Sequence, residues 1–409
     1  MNRQKYIFGI FGLALLALAT GCKDDPDVIW KPTPYNFVVP PGFPTKMNIP
    51  DDNPLTVEGV ELGRHLFYDG RLSGRTEPDS LMSCATCHRQ SRAFDIGTDH
   101  PKYTDPDGRP WGLTGKKTPH ATLPLFNLIW NNEGYLWNGL INVNNPNLGN
   151  ATYGVPATPE YHLKNIESLA WMGIAAPHEM NGHPDKTVAL LKTIPMYPPM
   201  FEAAFGTPDI TYDRISKAIA QFVRTIISYN SKAHQVFRGE TSFSTDERLG
   251  YILFTTEEGA DCFHCHGSQG VPLFTTHLFY NNAKDTLFTG PNADPRDRYA
   301  VTKDPMDLGA YKASTLINIE HQGPYMHDGR FRTLDDVLQF YNSGLKYSVY
   351  AHPLMHKVFP PYSSGMNLNP IQLGRLKSFL LTLTDQTLLT EPKYSNPRPN
   401  DPYFINVEP

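Results

Sequence analysis

"CFHCHG", running from Cys262 to Gly267, is the stretch on which the reading of this chain turns. Two cysteines with two residues between them and a histidine directly after suit three chemistries: a zinc site, a dithiol redox centre, or covalently attached haem c. The arrangement recurs in "SCATCHRQ", where Cys84, Cys87 and His88 take the same places. Haem c needs two thiols at this spacing to form thioethers with two vinyl groups, and an adjacent imidazole to ligate the iron. A zinc site built from all four cysteines leaves the repeated histidine unexplained and must join units far apart in the chain. A thioredoxin-like centre calls for a βαβ pattern, and none surrounds either unit. The sequence therefore favours one haem c per unit, with zinc as the main alternative.

Working outward, each unit is preceded by a similar segment, "VELGRHLFYDG" before the first and "DERLGYILFTT" before the second. Leu62, Gly63, Leu66 and Phe67 correspond to Leu249, Gly250, Leu253 and Phe254. Apolar residues at i and i+4 predict a short helix with one buried face, and Thr56 and Ser244 stand near the starts as capping residues. Each half closes on an amphipathic pattern. "YDRISKAIAQFVRTIISYN" aligns Ile215, Ile219, Phe222, Val223 and Ile226, and "NPIQLGRLKSFLLTLTD" aligns Leu373, Leu376, Phe379, Leu380 and Leu383 behind Asn369 and Pro370. The order of helix, motif, loops and closing helix occurs twice, which predicts a mainly α chain of two cytochrome c-like domains, each with one covalently bound haem c.

The N-terminus sets the compartment. Arg3 and Lys5 precede an apolar run from Ile7 to Ala19, then Thr20, Gly21 and Cys22, the order of a secretory signal. Cys22 after small residues resembles a bacterial lipobox, so residues 1–21 read as a lipoprotein signal peptide and Cys22 as the lipidated residue. "CKDD" resembles a surface-export signal of such lipoproteins. The expected location is the periplasm or outer membrane of a Gram-negative bacterium, with the membrane reached through the lipid alone. Residues 22–52, dense in proline and acids, read as an extended tether. Of five cysteines, lipidation of Cys22 and the two units use all, leaving none for a disulfide. A net charge of -5 gives no basic footprint for nucleic acid.

From about Asn53 to Asp385 the chain resembles the dihaem bacterial cytochrome c peroxidases and their relatives of the MauG type. The resemblance rests on "NPLTVEGVELGRHLFYDGRLSG", "SCATCH", "PHEM" and "GPYMHDGRFRTLDDVLQFYN", in the family's order. It implies an N-terminal peroxidatic haem domain over 53–236, a C-terminal electron-transfer domain over 237–390 and a tail over 391–409. It makes Glu179 of "PHEM" the carboxylate over the first haem, able to move protons between peroxide oxygens. Trp137 of "GYLWNGL" takes the place of the tryptophan between the haems, with packing as its plainer role; Asn138 and Leu140 depart from the family's acid and arginine. A segment over 141–163 has no obvious family counterpart and reads as an inserted loop.

The resemblance also assigns iron ligands: His88 at the first haem, and His266 with Tyr341 at the second. Met326 is the alternative sixth ligand. A phenolate would favour oxidised iron and lower its potential. The first iron is expected to keep one side open, with His100 and His120 as polar loop residues. Calcium is implied between the domains near Pro324, but Ala121 stands where the family has asparagine, which removes a side-chain oxygen. The implied activity is reduction of hydrogen peroxide with electrons from a donor such as a small cytochrome or cupredoxin, and the resemblance admits a homodimer. The rival readings are a MauG-like oxidase acting on a protein or small organic substrate, and a dihaem electron carrier with no activity of its own.

Overall fold

The computed structural model describes residues 30–100, 102–103, 109–141, 165–288, 294, 297–357, 365–405 and 407. Cys22, the signal segment and most of the inserted loop, residues 142–163, lie outside these. Among the described residues the fold is helical: α1 Val57–Tyr68, α2 Cys84–Cys87, α3 Ile166–Ala175, α4 Pro184–Lys192, α5 Tyr197–Phe205, α6 Tyr212–Thr225, α7 Lys232–Phe237, α8 Thr245–Thr255, α9 Phe263–His266, α10 Arg298–Thr302, α11 Leu334–Ser343, α12 Pro353–Lys357, α13 Pro370–Leu381 and α14 Gln386–Thr390. One antiparallel strand pair, β1 Phe279–Tyr280 with β2 Tyr311–Lys312, is the sheet among them. No helix among them is long and apolar enough to cross a membrane.

Two crossed helix pairs carry the core. Helix α1 starts where the Thr56 hydroxyl accepts a bond from Gly59 N, and α8 starts at a capping box formed by Ser244 and Glu247. α1 lies against α6, and α8 lies against α13. The repeated glycines explain how close they come. A Cβ on Gly63 would stand 1.9 Å from the Ala218 carbonyl oxygen, and one on Gly250 1.9 Å from that of Arg375. No side chain fits either crossing, so each helix backbone rests directly on its partner.

Phenylalanines fill each crossing in matching places. Phe67 meets Phe222 at 5.3 Å between ring centroids and Phe94 at 6.1 Å; Phe254 meets Phe379 at 5.1 Å and Phe274 at 6.2 Å. Aromatic contacts of this geometry add about 0.5–1.5 kcal/mol each beyond the area they bury.

The two repeats are not separate bodies: residues 32–409 form one compact unit, and one apolar cluster runs through both. The ends of the chain tie it further. From residue 32 onward the proline-rich N-terminal stretch is docked rather than free. Tyr35, Phe37, Phe43 and Ile49 pack around Trp130 and Ile129, the Trp130 indole donates to Pro44 O at 2.7 Å, and the buried Arg224 donates to Asn48 O at 2.9 Å. Aromatic and aliphatic residues between the prolines give this stretch its apolar contacts, which a reading from proline and charge density overlooks. The C-terminal tail returns to the first half: Gly70 N donates to Tyr403 O at 2.8 Å, Tyr68 Oη to Tyr394 O at 2.6 Å, and Arg71 stacks on Tyr403 at 4.4 Å.

Candidate active site

Each C-x-x-C-H unit forms one short helical turn, α2 or α9, on the wall of its own cavity. The first cavity, about 240 Å³, is lined by Cys84, Cys87, His88, Trp137 and Glu179. The second, about 200 Å³, is lined by Cys262, Cys265, His266, Met326 and Tyr341. Trp137, Lys312 and Ser314 line both. Because the two cysteine pairs face different cavities, they cannot form one four-cysteine zinc site. Among the described residues no three His, Cys, Asp or Glu side chains cluster as metal ligands.

The donor sets fit haem c. The four thiols are unpaired, and burial pushes Cys84, Cys262 and Cys265 up to about 12 and raises Cys87 as well. Dithiol redox centres lower a thiol instead. His88 Nδ1 lies 2.9 Å from Phe94 O, and His266 Nδ1 lies 3.1 Å from Ser314 O. A carbonyl at Nδ1 fixes the tautomer and leaves Nε2 as the electron-pair donor, the usual outer support of a metal-bound imidazole. Burial lowers both rings to about 4, which keeps them neutral as ligation requires. The rest of each lining is apolar, with Phe67, Phe126, Met172 and Ile219 in the first cavity and Phe254, Leu316, Leu338 and Leu376 in the second.

Glu179 sits in the turn after α3. Its N–H donates to Ala176 O at 3.0 Å and its carbonyl accepts from Leu113 N at 2.9 Å. Arg75 Nη1 donates to Met180 O at 2.9 Å. A Cβ on Gly112 would lie 2.4 Å from the His178 carbonyl carbon, so this close loop contact requires glycine. The turn holds the carboxylate on the wall of the first cavity. Burial raises the carboxyl to about 7, which makes it both a competent acid and a competent base near neutrality; its one ion-pair contact among the described residues, His178 Nε2, is distant at 3.8 Å.

In the second cavity, Tyr341 occupies the last turn of α11. Asn282 Nδ2 donates to its Oη at 3.1 Å and lies 3.6 Å from Met326 Sδ. The two candidate sixth ligands thus meet at one amide. Burial raises the Tyr341 phenol. Trp137 is fixed on the shared wall by its indole N–H, 2.9 Å from Ala121 O, and by its carbonyl, 2.8 Å from Lys312 N.

His100 and His120, expected as polar loop residues, are both buried. His100 Nδ1 accepts from Lys102 N and Tyr103 N at 3.1 and 3.0 Å, and the ring is not part of either cavity lining. His120 does line the first cavity, where its Nε2 lies 2.7 Å from Asp294 Oδ2. At the position expected for calcium, the Ala121 carbonyl is taken by the Trp137 indole and its N–H donates to His327 O at 2.7 Å.

Sequence reasoning missed Asn282, His327 and Lys312. For His327 a second repeat carried the signal, whereas no local pattern marks Asn282 or Lys312. Asn127 and Asn318 both have left-handed backbones, φ 58° and 59°. Their N–H groups donate to Ile226 O and Leu383 O, just past the two closing helices. Downstream, the Tyr135–Ile141 and Tyr325–Phe331 bridges match, setting Trp137 against His327.

The family model described as di-haem cytochrome c peroxidase matches residues 57–242. The methylamine utilization protein MauG of Methylorubrum extorquens is 31 % identical over 303 residues, 74 % of this chain and 73 % of that protein. The chain belongs to the di-haem cytochrome c peroxidase family. Within it, the cytochrome c551 peroxidase of Nitrosomonas europaea is 29 % identical over 70 % of this chain and 73 % of its own. A crystal structure of a MauG-like protein associated with microbial copper homeostasis superimposes with a TM-score of 0.71 at 29 % identity, covering 89 % of this chain and 99 % of that one. Haem is the cofactor of the family, and its members are peroxidases and MauG proteins.

Proposed function

We propose that this protein is an exported, lipid-anchored di-haem peroxidase that reduces hydrogen peroxide with electrons from a small cytochrome or cupredoxin. Cys84, Cys87 and His88 hold one haem c in the first cavity, and Cys262, Cys265 and His266 hold a second. When bound, the haems supply the iron at which peroxide is reduced and through which electrons arrive. The protein's part is binding, orientation and proton movement.

Glu179 carries the reading: a carboxyl near neutrality shares a cavity with a C-x-x-C-H unit. It would take a proton from the near oxygen of peroxide and return it to the far one, so that the O–O bond breaks with its electron pair leaving on water; two electrons from the donor and two protons would complete reduction of the remaining oxygen. The apolar lining keeps competing water away from that transfer. A pure electron carrier has no use for such a group. Trp137, common to both cavities, is the side chain we assign to passing oxidising equivalents between them.

The test is peroxide titration of holoprotein matured in a host that assembles c-type cytochromes. Glu179→Gln should keep both haems and lose the spectral response to one equivalent of peroxide; an undiminished response overturns the assignment.

The MauG-like reading is favoured by one observation, the Tyr341 phenol on the second cavity beside the Asn282 amide. Tyr341→Phe should change the low-spin EPR signal of one haem, whereas Met326→Leu should not. A change only in the methionine variant reverses the ligand assignment.

A further inference from the structure

Among the described residues five lysine and arginine side chains are buried: Arg71, Arg89, Arg224, Lys284 and Lys312. Four have a carboxylate partner within ion-pair distance. Arg71 pairs with Asp69 at 2.7 Å, Arg89 with Asp99 at 2.8 Å, Arg224 with Glu167 at 2.6 Å, and Lys284 with Asp328 at 2.9 Å. Lys312, with 8 % of its surface exposed, has none. Its Nζ donates to His277 O at 3.0 Å and lies 4.4 Å from the centre of the Phe279 ring. A second cation adds to the imbalance: Arg298 stands 4.1 Å from the same ring and, after burial, disfavours the charged Lys312 most, with Glu133 opposing it.

A buried ammonium without an anion is expensive, and proteins pair such groups or place them where a ligand supplies the missing charge. The position of Lys312 says which ligand. Strand pairing of β2 with β1 puts it on the wall that the two cavities share. His277, whose carbonyl holds the ammonium, lines the first cavity, and its Nε2 is buried with no hydrogen-bond partner. Two polar groups lacking their complement thus border space that the C-x-x-C-H units assign to a porphyrin, the edge of which carries carboxylates.

We propose that Lys312, assisted by the His277 ring, holds a propionate carboxylate of bound haem at the wall between the cavities. Lys312 is then a positioning residue for the cofactor, supplying positive charge that favours the reduced iron. The inference rests on the haem reading above, and haem content separates the two: a wild-type protein that matures without haem refutes that reading first.

The experiment uses full-length holoprotein with haem counted by pyridine haemochromogen, followed by spectroelectrochemical titration. Lys312→Met should retain two haems and lower the potential of at least one by tenfold in the ferrous/ferric ratio, which is 59 mV for one electron. Lys312→Arg, which keeps the charge, should stay within twofold of wild type. Two haems with unchanged potentials in Lys312→Met overturn the proposal. Should that variant fail to mature, resonance Raman of His277→Leu decides: a shifted propionate bending mode supports the contact, and an unshifted one overturns it.

Discussion

The first cavity carries a carboxylate where the second carries a phenol, although both side chains come from corresponding parts of the chain. Glu179 follows α3, which packs on α6; Tyr341 ends α11, which packs on α13. Glu179 is held by backbone bonds from neighbouring loops, its carboxylate meets only the His178 ring, at 3.8 Å, as an ion-pair contact among the described residues, and burial keeps its proton affinity near neutral pH. Tyr341 meets an amide donor that suits an oxygen acceptor. The halves thus share packing residues at their helix crossings and differ at positions that face the cofactor space, Glu179 against Tyr341 and Trp137 against His327. Shared packing answers a steric demand that is the same twice, whereas the facing residue answers a chemical demand that is not.

The sharpest way to break this contrast is at Glu179. Glu179→Gln should lower peroxide turnover by about 10²–10⁴-fold, the usual contribution of a positioned general acid–base group, while haem content stays constant. Proton abstraction needs the ionised carboxyl. Because burial has raised the group to about 7, the rate of peroxide reaction should rise as pH increases through that value and level off above it. Stopped-flow rates from about pH 5.5 to 8.5, bracketing that titration, should show this limb in wild type and not in the variant; a limb that survives in the variant belongs to another group.

The glycine crossings test the shared half of the comparison. Gly63→Ala and Gly250→Ala should each destabilise by about 3 kcal/mol, the upper end of the range for overpacking, because the added carbon meets a backbone carbonyl that cannot rotate away. Urea unfolding of the holoprotein measures it. Similar losses sustain the equivalence of the two helix pairs, and a harmless alanine at either site removes it for that half.

Caps give the smallest effect and a predicted asymmetry. Ser244→Ala loses an exposed capping box and should cost about 1 kcal/mol. Thr56→Ala should cost about 2 kcal/mol, since its buried hydroxyl also donates to Gln221 Oε1 at 3.2 Å, which would keep only the bond from residue 56 N–H. Equal losses by thermal unfolding would show that the buried contact adds nothing.

Several of these features are legible in the chain itself. Thr56, Ser244 and Asn369 cap the helices as their positions foretell, and the stripes Ile215–Ile226 and Leu373–Leu383 include the buried faces of α6 and α13. Gly63 and Gly250 are visible as a repeat, but not as contact points, because nothing local says that the Ala218 and Arg375 carbonyls arrive there. The docking of residues 35–49 is hidden for a similar reason: apolar residues spaced by prolines show no period, yet they meet Trp130 from another segment.

What the sequence alone determined is whatever depends on residues a few positions apart: the C-x-x-C-H units, the capped helices and the duplicated plan, since helical geometry and thioether spacing are local. Tertiary structure alone decided that Trp137 and Lys312 share a wall, that Met326 and Tyr341 meet at Asn282, and that one buried cation among the five described lacks a carboxylate. These follow from chain segments brought together across the fold. Burial and charge balance are properties of the assembled surroundings, and neither is written in the spacing of neighbours along the chain.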